Sequence, residues 1–131
     1  MTSLDTNVVV RLIVGDDARQ VRAAERLVAS RACRIAATVL LECEWVLRAG
    51  YGLDAATIAE SFRSLLNLAN VDAADPALMV RALSAYEGGI DFADALHAAQ
   101  CAAGEAFATF DRAFAKRAAK AGLPAVMLIS G

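Results

Sequence analysis

Short β-like segments alternate along this chain with longer segments of helical period, and that alternation is the strongest constraint on its fold. Thr2 to Leu4, Cys33 to Ala37, Ala69 to Asp72, Ala106 to Phe110 and Ala125 to Ile129 read as strands bounded by turn or cap residues. The pattern predicts an α/β fold around a mostly parallel sheet of four to five strands. At 131 residues the chain has room for one such domain and too little for two, so residues 1–131 are expected to form a single domain.

Aspartate and glycine punctuate the helical segments. A short helix over Asn7 to Val14 follows Asp5 and stops at Gly15. Asp16 and Asp17 are placed to cap a helix from Ala18 to Arg31, with Val21, Leu27 and Val28 toward the core. Thr38 is expected to cap a helix to about Ala49, with Gly50 as its left-handed stop, and Asp54 to cap another from Ala55 to Leu68. Asp75-Pro76 opens a helix over Ala77 to Glu87 that Gly88-Gly89 ends. A helix then starts at about Asp91 and runs to near Gly104, and Asp111 caps the last one, to Lys120. Gly122-Leu123-Pro124 reads as a turn.

Thirteen basic residues against 15 acids give a net charge of -2, so the chain as a whole does not attract polyanions; nucleic-acid binding needs a local basic patch or bound cations. Charges interrupt every apolar run within a membrane-spanning length, which predicts neither a transmembrane helix nor a signal peptide. Cys33, Cys43 and Cys101 are widely spaced and set among apolar neighbours. That pattern suits reduced packing thiols in a cytoplasm rather than disulfides or a zinc site.

Five acids stand where solvated surface is not expected: Asp5, Glu42, Asp91, Asp94 and Asp111. Asp5 and Asp111 follow strands, and ligands of open α/β sheets gather beyond the carboxyl ends of strands. Asp91, Asp94 and Asp111 singly are explained as helix caps or first-turn acids. Glu42 is less easily explained, because Thr38, Val39, Trp45 and Val46 flank it and no cation shares its face, so it needs a partner from elsewhere. Glu44 has Arg48 at i+4 and reads as an ordinary solvated pair.

If Asp5, Glu42, Asp94 and Asp111 converge, their mutual repulsion raises their pKa values unless a divalent cation is present. Oxygen ligands select hard cations, so Mg²⁺ or Mn²⁺ is expected, and such an ion suits phosphodiester hydrolysis. The spacing of Asp91, Asp94 and His97 drifts around the helix, so the three cannot serve one small ion equally; His97 reads as a partly buried structural or peripheral residue. On the last helix Arg112, Lys116, Arg117 and Lys120 form either a phosphate-contacting stripe or a solvated face opposite Ala113 and Phe114, with Arg112, then Lys116, the candidate RNA contacts.

The segments MTSLDTNVVVRLI, LLECEWVLRAGYGL with its ExxWVL pattern, DFADALHAA and ATFDRAFAKRA, in this order and spacing, resemble a PIN-domain ribonuclease of the VapC toxin type across nearly the whole chain. The resemblance implies a three-layer α/β/α sandwich and a Mg²⁺- or Mn²⁺-dependent endoribonuclease, the toxin of a type II toxin–antitoxin pair. Carried over residue by residue, it implies catalytic and metal-binding acids at Asp5, Glu42, Asp94 and Asp111, and an accessory acid at Asp91. Thr6, Asn7 and Thr109 take supporting roles, and Glu42 would orient the attacking water. It also implies an RNA substrate, a cognate antitoxin and a homodimer.

Two other classes compete for the same residues. A phosphatase with aspartate after its first strand wants a second aspartate where Asn7 stands, and a receiver wants lysine after its last strand, where Ser130 and Gly131 stand. A binding module without turnover would use the acids as a docking cleft for a basic partner.

Overall fold

The computed structural model describes residues 1–123 and 126–131 and divides into two compact units, Met1–Pro76 and Ala77–Gly131. The turn expected at Pro124 and the expected start of the last strand at Ala125 lie outside the described residues.

In the first unit, β1 (Thr2–Ser3) leads into α1 (Thr6–Ile13) and α2 (Ala18–Ser30), and β2 (Cys33–Ile35) into α3 (Ala37–Trp45). A π-helical turn over Val46–Gly50 follows, then α4 (Ala55–Leu66) and β3 (Val71–Ala73). The three strands form one parallel sheet in the order β1-β2-β3, with Ser3 beside Arg34 and Arg34 beside Asp72. Cys33, Ile35, Val71 and Ala73 are buried while Arg34 and Asp72 between them are exposed, the period-two alternation of strands with one covered face. Val9, Val10, Leu40, Leu47, Ile58 and Phe62 fill the core beside them.

Asp5, Asp17 and Asp54 cap α1, α2 and α4, their carboxylates accepting from the amides of Thr6, Gln20 and Thr57. Asp16 is no cap: it accepts from the Tyr51 hydroxyl at 2.6 Å and pairs with Arg11 at 3.2 Å. Nor is Thr38, because α3 starts a residue earlier behind Ala36, which makes no side-chain capping bond. The left-handed turn falls at Gly52 (φ 70°), not Gly50. The π-helical turn consumes Gly50 and carries the chain further before it can reverse.

Helix α2 is more superficial than its apolar residues suggest. Ala24 is its buried residue, and Val21, Leu27 and Val28 are half-buried. Leu27 lines a shallow groove with Val8 and Arg11 of α1, and Val28 lines another with Leu65 of α4 and Leu68.

Helix α5 (Pro76–Glu87), which from Ala77 onward belongs to the second unit, opens on proline at its first position, where a missing N–H costs nothing. Then come α6 (Phe92–Ala99), β4 (Phe107–Thr109), α7 (Arg112–Lys120) and β5 (Val126–Leu128). Strands β4 and β5 pair in parallel as a sheet of their own. Gly89, at φ 98°, makes the turn after α5. Tyr86 and Phe92 meet edge to face at 5.1 Å, and Leu78, Ala82, Leu83, Ala95, Leu96, Ala99, Phe114 and Ala118 complete the core.

The fold is thus α/β with seven α-helices and parallel strands among the described residues. Among the described residues there are five strands, and in place of the one sheet of four to five strands expected they form a three-stranded and a two-stranded sheet. No helix among the described residues is long and apolar enough to cross a membrane. The thiols of Cys33 and Cys43 are buried and that of Cys101 partly so, and all three are free.

Candidate functional site

Asp5 and Glu42 belong to the first unit. Asp5 leaves β1 in extended conformation and holds the first turn of α1, its carboxylate accepting from the Thr6 amide at 2.8 Å. Thr6 is buried, and its hydroxyl donates to Oε1 of Glu42. This is the partner from elsewhere in the fold that the neighbours of Glu42 could not supply. Both carboxylates are exposed, and Asn7, also exposed, lies on the groove beside α2.

Glu42 does not sit on a buried stripe. The face of α3 that enters the core is Leu40, Cys43 and Glu44, continued by Leu47, whereas Thr38, Glu42 and Trp45 are exposed. It is Glu44, 3% exposed, that is buried, with Arg48 Nε 2.8 Å from its carboxylate. An i,i+4 pair usually marks solvated surface; here the guanidinium lets a carboxylate enter the core.

Cys43, between the two glutamates, registers the local charge. Burial, then the negative charges of Glu42 and Asp5, push its thiol up to about 12. A thiolate there would be desolvated and repelled at once.

Asp91, Asp94 and Asp111 belong to the second unit. Asp91 caps α6, accepting from the Asp94 amide at 3.4 Å, and Asp111 caps α7, accepting from the Phe114 amide at 2.9 Å. The Thr109 hydroxyl accepts from the Asp111 amide at 3.0 Å, so the threonine supports the acid through its backbone. Asp94 is half-buried in the first turn of α6 and caps nothing. Its partial burial, then the carboxylates of Asp91 and Asp111, hold it above the usual carboxylate range, with His97 pulling the other way.

His97 is exposed rather than partly buried, its ring stacked on Phe107 at 6.2 Å. On α7, Arg112, Lys116, Arg117 and Lys120 are all exposed; so is Ala113, and the buried side of that helix is Phe114 and Ala118. Composition and periodicity assign nothing to two exposed rings beside these acids, Trp45 and Phe110. The available signals were the i,i+3 spacing from Glu42 to Trp45, which puts them on one helix face, and the adjacency of Phe110 to Asp111.

Each unit therefore carries acids that burden their surroundings with negative charge, and their donors are all carboxylate oxygens, the chemistry that suits a hard divalent cation. Among the described residues no group of three or more histidine, cysteine, aspartate or glutamate side chains is gathered closely enough to hold a metal ion. What stands close is the Thr6–Glu42 contact beside Asp5 in one unit, and Asp94 repelled by Asp91 and Asp111 in the other.

The repulsion at Asp94 has a measurable sign. The folded chain holds the Asp94 proton more tightly than the unfolded chain does. Its contribution to stability is therefore fullest below the ordinary value of 3.8 and declines as pH rises through the raised one. Asp94→Asn should raise the melting temperature at neutral pH by roughly 1–3 °C, a gain that fades below pH about 4. Thermal melts of both proteins at the two pH values check this, and an equal shift at both would count against the repulsion.

A protein-family model described as PIN domain matches residues 3–120. No curated protein and no solved structure matches the chain.

Proposed function

From the premise that the chain belongs to the PIN domain family, whose members are typically nucleases using divalent metal ions, we propose that it is a Mg²⁺- or Mn²⁺-dependent endoribonuclease acting as the toxin of a toxin–antitoxin pair. The observation that carries the reading is the pairing of Thr6 with Glu42 beside Asp5, with Asp94 held above the usual carboxylate range by its partial burial and then by Asp91 and Asp111. These are acids arranged against their own electrostatics, as a cation-binding site requires and a merely structural surface does not.

Asp5, Asp94 and Asp111 would hold the cation, with Glu42 and accessory Asp91 contributing. When bound, the ion relieves the repulsion among the acids and supplies charge stabilisation to the phosphoryl and leaving oxygens. Glu42 orients the attacking water: Thr6 commits one carboxylate oxygen and so fixes the direction of the other. Asp5 and Asp111 are themselves anchored by the first turns of α1 and α7, which keeps them in place. In-line attack on an RNA phosphodiester would leave a 5′-phosphate and a 3′-hydroxyl. Arg112 and Lys116, exposed on α7 directly after Asp111, suit the flanking phosphates.

On this reading residues 1–131 act as one PIN-like domain, working in the cytoplasm as a homodimer and restrained by a cognate antitoxin. The test is cleavage of single-stranded RNA by purified protein. Activity should fall to background in excess EDTA and return with Mg²⁺ or Mn²⁺; undiminished cutting in EDTA overturns the metal mechanism. Induced expression should arrest growth, and co-expression of the antitoxin should restore it.

A further inference from the structure

Each unit presents one aromatic ring in the open beside a candidate acid. Trp45 is 61% exposed and one turn beyond Glu42 on α3, and Phe110 is 71% exposed and directly precedes Asp111. The other large aromatic ring exposed among the described residues is that of Tyr51, whose hydroxyl is committed to Asp16. Phe110 stands between fixed neighbours, with Gly131 beside one edge of its ring. The Asp111 amide is tied to the Thr109 hydroxyl and the Asp111 carboxylate to the Phe114 amide, so both residues flanking the ring are fixed.

An RNA strand reaching these acids meets an electrostatic difficulty. The net charge is -2, and the acids repel phosphate before any cation is counted. Exposed Arg112 and Lys116 and a bound cation would offset that repulsion, and a contact insensitive to charge would add to them. Stacking on an aromatic face is such a contact, open to any unpaired base. A single exposed apolar side chain needs no explanation, but a ring set beside a candidate acid in each unit does.

We propose that Trp45 and Phe110 are stacking platforms for unpaired nucleobases of the RNA strand; the inference rests on the nuclease reading above and assigns the residues that hold its substrate. Binding then draws on base faces as well as phosphates. The exposed Met127, Leu128 and Ile129 of the second unit frame the alternative, that Phe110 belongs to a protein–protein contact.

Trp45 is the sole tryptophan, so its fluorescence reports stacking directly. In an Asp94→Asn background, which suppresses cleavage, single-stranded oligoadenylate should quench Trp45, whereas inorganic polyphosphate, an anion without bases, should not. Phe110→Ala should weaken oligoadenylate binding by roughly tenfold and Phe110→Trp should restore it, with melting temperatures unchanged. Absence of quenching at saturating oligoadenylate, or equal quenching by polyphosphate, overturns the proposal for Trp45. For Phe110 it is overturned by unchanged affinity in Phe110→Ala, or by a change confined to the sedimentation of the protein. Quenching and the Phe110 effect in a chain that cuts no RNA would sink the nuclease reading and leave these base contacts standing. Cutting without them sinks the inference alone.

Discussion

If the chain cuts RNA as proposed, Asp5→Asn and Asp94→Asn should each lower the rate of single-stranded RNA cleavage by about 10²–10³ while leaving the protein folded. Several kcal/mol of transition-state stabilisation are attributed to the cation these acids would hold, and each 1.36 kcal/mol is tenfold in rate. Neither change should unfold the chain: both side chains are at least partly open to solvent, and asparagine can still accept the Thr6 amide at position 5. Thr6→Val belongs to the same series with a smaller effect, about tenfold, because it removes one hydrogen bond to Glu42 and not the carboxylate. Initial rates under saturating Mg²⁺, with melting temperatures taken alongside, test the series. Full activity in Asp5→Asn or Asp94→Asn would reject the assignment of those acids.

Phe92→Ala should destabilise the second unit by about 3–5 kcal/mol, enough to leave much of it unfolded at 37 °C. Phe92 is fully buried at the first position of α6, its ring edge-on to Tyr86 at an interplanar angle of 67°. Its loss removes one of the largest wholly buried side chains and leaves a cavity under the helix that carries Asp94. Phe110→Ala makes the internal control, since truncating a ring that is 71% exposed should cost no more than ~0.5 kcal/mol. Urea denaturation of the two variants compares them, and equal midpoints would contradict the core described here.

The contrast between those two phenylalanines marks how much is legible in a sequence. Local rules are. Asp17, Asp54, Asp91 and Asp111 prove to be the helix caps expected of them and Asp16 and Thr38 do not, while Asp5, read as a strand end, is a cap as well; a cap and its amide lie within three residues of each other. The alternation of strands and helices was legible for the same reason; the division of the strands into two sheets was not, since pairing joins segments distant in sequence.

The candidate acids could be found from their positions, but their burial could not. Helix α3 is apolar around most of its circumference, so periodicity does not reveal which side enters the core, and Glu42 and Glu44 exchange the environments expected of them. The i,i+4 arginine that made Glu44 look solvated is what permits its burial. The pairing of Glu42 with Thr6, across |i−j|=36, is likewise invisible to any local rule.

The cysteines have a practical consequence. Cys33 and Cys43 are sealed in the core and Cys101 is partly open, so a maleimide dye has Cys101 as its accessible target, reacting best at mildly alkaline pH because burial and Glu105 raise that thiol too. That thiol lies just past α6 in the second unit, and the chain's single tryptophan lies in the first. The native sequence thus contains a donor and an attachment point for an acceptor, one in each unit. Energy transfer from Trp45 to a dye on Cys101 provides an intrinsic ruler. It can follow the distance between Trp45 and Cys101 in solution as Mg²⁺ or RNA is added, with no engineered residue.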